Sequence, residues 1–471
     1  MSSGQRLERD SLGEVAVPNG ALFGAQTQRA VRNFPVSGLR IPRRLIRALA
    51  LLKRAAAQVN KASGALPAPL ADAIIQAADE VATGDHDAHF PVDIFQTGSG
   101  TSSNMNTNEV ISNRAIQLLG GVVGSKTPVH PNDHVNKGQS SNDVFPTAVN
   151  IAAAEATERD LLPALQQLQA SLQAKVVAFD HVVKLGRTHL MDAVPVRLGQ
   201  EFSGYAQMVK NAVRRIRAAQ HAIAELPLGG TAVGTGLGSA PDFAPQVIAR
   251  VAAETGIPLT QAPNLFEAMA THDSMVELSA ALRSAAVSLT KIANDIRWMA
   301  SGPRGGIAEL RLPELQPGSS IMPGKVNPVM AEMLLLVCAQ VVGNDATVAW
   351  GGAGGTFELN TMTPVMAFSL LQSIDILAAG CRQFSSKCVD GIEADEARCL
   401  DLVERSTALV TALAPRIGYD AAAALAKESA ESGKTIREMA HQKKILPDDE
   451  LDRLLDVTSM TGLPSETPPP D

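Results

Sequence analysis

Aromatic residues are scarce in this chain: Phe, Tyr and Trp together supply 3% of 471 residues, with two tryptophans and two tyrosines. Since 45% of the residues are nonetheless hydrophobic, the core must be built from Ala, Val, Ile and Leu. Interiors of that kind suit closely packed helices. Cysteine is also rare. Cys338, Cys381, Cys388 and Cys399 lie in the C-terminal third without C-x-x-C spacing, so neither a disulfide framework nor a zinc cluster is implied. Charge of one sign is nowhere concentrated: charged residues make up 19% and the net charge is −7, which argues against a nucleic-acid or membrane-surface role. No apolar stretch is expected to reach the roughly 18 to 20 residues that span a bilayer. Met1-Ser2-Ser3-Gly4 leads into charged residues rather than an apolar signal core. The chain reads as cytoplasmic and reduced, with a small-molecule partner.

What the chain has in quantity is alanine-rich helix. Residues 1–145 are punctuated by Pro and Gly, with helices expected near Arg43 to Ser63 and Pro69 to Thr83, and read as an N-terminal, mostly helical domain. Residues 146–365 read as a central domain of long rods at 146–182, 195–226, 264–301 and 328–350. The first of these would span roughly 50 Å. Met333 to Ala339 and Ala280 to Ile292 are apolar nearly all round, which demands neighbours that one chain can scarcely supply. A bundle completed by other subunits is the expectation. Residues 366–471 read as a small C-terminal helical domain, and Thr467-Pro468-Pro469-Pro470-Asp471 is expected to be disordered. The fold class is mainly α.

Five polar segments interrupt this pattern. Gly318-Ser319-Ser320-Ile321-Met322-Pro323-Gly324-Lys325-Val326-Asn327-Pro328 has the outline of an anion-binding loop, with Asn327 as N-cap and Pro328 opening the helix that follows. Its likeness to a phosphate-binding loop fails, because five residues separate Gly318 from Gly324 and Val326 stands where Ser or Thr is required. The others are Thr97 to Glu109, His130 to Asn136, Gln139 to Asp143 and Gly186 to Asp192. Each alone has an ordinary explanation as a capped helix start or a turn. His130 and His134 lack a third metal ligand nearby, whereas His189 has the chemistry of a proton-transfer group. The run Gly229 to Gly238 lacks the G-x-G-x-x-G spacing of a dinucleotide site and reads as a loop of close backbone approach.

Together these segments resemble the class II fumarase branch of the fumarase/aspartase superfamily, over nearly the whole chain from Gly13-Glu14-Val15 to Ile417-Gly418-Tyr419-Asp420. The 318–328 segment matches the superfamily signature. Aspartases, which it also resembles, typically carry other residues at the positions of His189, Ser141, His130 and Gly324, and all four choices favour fumarase. Gly138 and Gly305-Gly306 depart slightly from the usual pattern.

The resemblance implies a three-domain fumarase/aspartase-like fold whose central bundle completes a tetrameric helical core. It implies reversible anti addition of water to fumarate, giving L-malate through an aci-carboxylate intermediate in the citric acid cycle, with no cofactor and no metal. The catalytic residues implied are Ser319 as base, Lys325, Thr188, His189 and Glu332 as the carboxylate partner of the histidine. Substrate would be bound by Ser99, Gly100, Thr101, Ser140, Ser141, Asn142, Thr188, Ser320, Lys325, Val326 and Asn327. His130, Pro131, Asn132 and Asp133 align with an accessory anion site. The active sites would be shared by three subunits of a homotetramer, and its partners would be small dicarboxylates, with no nucleic acid and no membrane. The rival readings are an ammonia-lyase acting on aspartate and a non-catalytic crystallin-like protein.

Overall fold

Helices dominate the computed structural model, which describes residues 4–462. The expectation for Thr467–Asp471 lies outside the described residues. The helices that matter for the site are α1 (Arg43–Ala62), α2 (Thr101–Leu118), α3 (Ser141–Ala156), α4 (Leu162–Ala178), α5 (Leu198–Ile223), α6 (Asp273–Met299), α7 (Val329–Gly352) and α8 (Thr363–Lys387). Strands are confined to five two-stranded sheets among the described residues. Three of these are hairpins: β1 (Gln5–Asp10) with β2 (Gly13–Pro18), β3 (Val183–Thr188) with β4 (Met191–Arg197), and the short pair Gly355–Thr356 with Leu359–Asn360.

Helices expected near Arg43 to Ser63 and Pro69 to Thr83 form at Arg43–Ala62 and Ala68–Thr83, the second ended by Gly84 in the left-handed region. The long rods form with corrected bounds. The first starts at Ser141 and is broken at Thr157–Leu161 by a π turn, the second starts at Leu198 because β4 precedes it, and the third starts at Asp273. A fifth rod, α8, runs 25 residues where only a shorter pattern was expected.

The residues group into two compact units. One holds residues 1–163, 212–286 and 339–378, the other residues 164–211, 287–338 and 379–471. In the first unit α1 packs against Ala68–Thr83, and the buried Leu45, Leu49 and Leu52 form its inner stripe. Glu109, buried on α2, accepts N–H bonds from Gly24, Gln26 and Thr27, so a carboxylate sits at the N-terminus of the helix Ala25–Asn33. In the second unit the β3–β4 hairpin rests through Leu185 on a cluster that includes Val403, Leu413, Leu425, Ile436 and Leu451.

Two helices, α7 and the stretch Thr363–Gly391, do reach the length and mean hydropathy of a membrane crossing, which corrects the expectation that no stretch would. Their polar residues explain the composition. Ser279 donates to the buried Asp345 at 2.7 Å, and Asn344 donates to Ser373 at 3.0 Å. Paired carboxylates and amides of this kind belong to the interior of a helix bundle.

Candidate active site

Three of the five segments lie in the first unit, and two of them open long helices. Gly100 precedes α2 with φ +76, and a Cβ there would stand 2.3 Å from the Phe145 ring, so only glycine fits. Beside it the Ser99 and Thr101 hydroxyls share a 2.8 Å hydrogen bond. Ser140 caps α3: its Oγ accepts from the Asn142 N–H at 3.2 Å while Asp143 Oδ1 accepts the Ser140 N–H at 3.0 Å, a reciprocal capping box. Two helix N-termini therefore present hydroxyls and backbone donors, as an anion requires. They are joined, because Asn104 of α2 donates to Ser141 Oγ at 2.8 Å. The Asn142 side chain reaches Ala232 O, so the glycine-rich run closes over this helix start. Asp143 is fully buried, accepts the N–H groups of Gly229 and Thr231, and is pushed up to about 6 by burial.

The segment from His130 to Asn136 forms a short π turn at Pro131–Val135. His130 Nδ1 accepts the N–H groups of Asn132 and Asp133 at 3.2 Å each, and the His130 N–H is donated to His134 Nδ1 at 2.8 Å. Those ring nitrogens are engaged as acceptors within the turn. Among the described residues no group of three or more His, Cys, Asp or Glu is placed to hold a metal ion.

The other segments lie in the second unit. In the 318–328 loop, Ser319 Oγ accepts the Ile321 N–H at 3.2 Å and the Met322 N–H at 2.9 Å. Asn327 does not act as the N-cap expected of it: its side-chain amide donates to Gly318 O at 2.7 Å and ties the loop's two ends together. The loop is open to solvent, with Ile321 83% and Met322 49% exposed. Lys325, Val326 and Asn327 line a cavity of about 400 Å3 with Arg297, Trp298 and Ser301. Ser320 is exposed on the loop, and Glu332 is exposed in the first turn of α7.

Thr188 ends β3, and His189 and Leu190 form the two-residue tip of the hairpin, both left-handed at φ +57 and +63. Non-glycine residues hold that conformation at a cost. The sequence had this segment entering a helix directly; it is instead a solvent-exposed hairpin tip. Among the described residues no hydrogen bond joins His189 to Glu332.

Sequence reasoning missed the buried charges beneath these segments. Under the hairpin, Glu309 is wholly buried and lies 3.3 Å from Lys184 Nζ and 2.9 Å from Arg187 Nη1. The register shift between Leu185 and Arg187 is what lets residues of odd separation on one strand reach the same carboxylate. In the first unit Lys53 of α1 is wholly buried and donates to Asn136 Oδ1 at 2.9 Å and Gln139 Oε1 at 3.0 Å. The one available signal was a lysine on the apolar stripe of Leu45, Leu49 and Ala56.

A model of the family described as "Lyase" matches residues 13–343, and one described as "Fumarase C C-terminus" matches residues 409–462. The class II fumarate hydratase of Mycobacterium tuberculosis is 55% identical over 464 residues, covering 98% of this chain and 96% of the relative. The chain belongs to the class II fumarase family. Human mitochondrial fumarate hydratase is 53% identical over 459 residues, covering 97% of this chain and 90% of its own length. Among solved structures, the recombinant class II fumarase of Schistosoma mansoni superposes with a TM-score of 0.94 at 40% identity, covering 97% of this chain and 99% of that one. The mainly α, fumarase-like fold expected from the resemblance is therefore the fold of this class II fumarase family member.

Proposed function

We propose that this chain is a fumarate hydratase, interconverting fumarate and L-malate in the citric acid cycle without a cofactor or metal. The observation that carries the reading is Ser319, whose Oγ already receives two backbone N–H groups in a loop that also bears Lys325 and Asn327. Donors aimed at an oxygen favour its anionic form, which is what a serine needs to act as a base.

In the malate-to-fumarate direction the Ser319 alkoxide takes the C3 proton. The electron pair left on C3 spreads into the neighbouring carboxylate as an aci-carboxylate dianion, held by Lys325 and Asn327 with Ser320 and Val326 beside them. Collapse of that dianion forms the double bond and expels the C2 hydroxyl, which leaves as water with a proton delivered from the Thr188 and His189 side. Glu332 orients the histidine ring. Ser99, Gly100, Thr101, Ser140, Ser141 and Asn142 bind the substrate carboxylates, and His130, Pro131, Asn132 and Asp133 form an accessory anion site.

The working enzyme is a homotetramer whose active sites draw on three subunits. Its support is α7, which keeps Leu336 73% and Trp350 77% exposed although nearly every side of it is apolar. Small dicarboxylates are its ligands, with no nucleic acid or membrane partner, and we place it in the cytoplasm. The chain is parsed as 1–145, 146–365 and 366–471. Incubating the protein with malate and, separately, with aspartate, while following the ultraviolet absorbance of fumarate, tests the reaction. Absorbance from malate alone is expected; fumarate from aspartate alone would overturn the hydratase reading, and none from either would favour a non-catalytic protein.

A further inference from the structure

Lys53 has no part in the chemistry above, yet it occupies the centre of the first unit's polar network. It lies on α1, wholly buried, where an ammonium is costly to keep. Its Nζ donates to Asn136 Oδ1 at 2.9 Å and Gln139 Oε1 at 3.0 Å. The same Asn136 oxygen accepts from Asn104 at 3.3 Å and Asn108 at 3.2 Å. Asn104 then donates to Ser141 Oγ at 2.8 Å. Asn136 returns a hydrogen bond to Gln139 O at 3.1 Å, just before the cap residue Ser140. The buried Oδ1 atoms of Asn104 and Asn108 have no hydrogen-bond partner, so polarity is kept here in excess of what packing needs. A core that served stability alone would carry leucine at this point of the stripe.

We propose that Lys53 is a positioning residue for the dicarboxylate: it fixes Asn136 and Gln139, and through them the Ser140–Asn142 helix start, and places a buried positive charge behind the anion site. This rests on the assignment of Ser140, Ser141 and Asn142 to substrate binding. Asp143, on α3, is the charged group that acts on Lys53 electrostatically, and its hydrogen-bond partners are the uncharged amides of Asn136 and Gln139. Burial pushes the Lys53 ammonium down to about 7, with Asp143 opposing the shift. The cation is therefore present below that pH and lost above it, and a bound dianion draws it back.

Four measurements test this. Lys53→Met keeps the length of the side chain and removes the charge: KM for malate is expected to rise about tenfold with kcat within about twofold, since the Ser140–Asn142 helix start loses its support and the charge behind it while no reacting group is touched. The rise of KM with pH through 7 in the parent protein should disappear in this variant. Unchanged KM, or a pH profile parallel to the parent, would overturn the proposal. Ser141→Ala separates the two levels, because an unchanged KM there would refute the site assignment itself and this proposal with it. If Lys53→Met fails to assemble, calorimetry of His189→Asn titrated with succinate at about pH 7.5, in two buffers of different ionisation enthalpy, should register net proton uptake. No uptake would overturn the role of Lys53.

Discussion

Ser319 and Gly100 show how differently single residues bear on this protein. Ser319 sits on an exposed loop and contributes little to packing, so Ser319→Ala should lower turnover by roughly 10²- to 10⁴-fold. The melting temperature should not change, and comparing turnover with thermal unfolding checks both halves; full turnover would refute the base assignment. Gly100 is the opposite case. With φ +76 and the Phe145 ring 2.3 Å from any added Cβ, Gly100→Ala strains the backbone and overpacks the core. A loss of about 2 to 4 kcal/mol in denaturant unfolding is expected, with substrate affinity falling alongside because the start of α2 must shift.

At the scale of elements, the segments are placed by helix starts and one hairpin, while a break between two helices holds a buried titratable group. His272 occupies that break, between Leu265–Ala270 and α6, at φ +61. Its ring lies 3.0 Å from Thr363 Oγ1 and 3.1 Å from Ala268 O, and burial lowers its pKa to about 4. The folded state therefore holds this imidazole neutral, whereas the unfolded chain takes up a proton below about 6.5. The stability present above that pH is lost as pH falls towards 4, with a slope of at most about 1.4 kcal/mol per pH unit from this group. His272→Gln should flatten the dependence of unfolding midpoint on pH across that window, and an unaltered slope would exclude His272 as its source. The hairpin was illegible in the sequence for a related reason: the left-handed conformations of His189 and Leu190 are imposed by the pairing of β3 with β4, and neither residue advertises them.

For the whole molecule, the apolar girth of α7 is the controlling feature. Leu336 and Trp350 are large and exposed on it. Covering one leucine contributes about 1.5 to 3 kcal/mol per copy, and a shared interface repeats that gain in every subunit. If the proposed tetramer with shared sites is the working form, Leu336→Glu should shift the protein to smaller assemblies in sedimentation velocity and abolish turnover together. Retained activity in a monomer would refute shared sites.

The sequence by itself determined the helical class and the long rods, and it singled out the polar segments. Those properties are local: a capping box spans Ser140 to Asp143, and a rod declares itself by its own periodicity. Tertiary structure alone decided the burial of Lys53, which meets Asn136 across 83 residues, and the convergence of Lys184 and Arg187 on Glu309 across more than a hundred. It also turned Asn327 from a helix cap into a tie across its own loop. Burial and charge pairing depend on what distant chain is brought alongside, and no window of neighbouring residues carries that information.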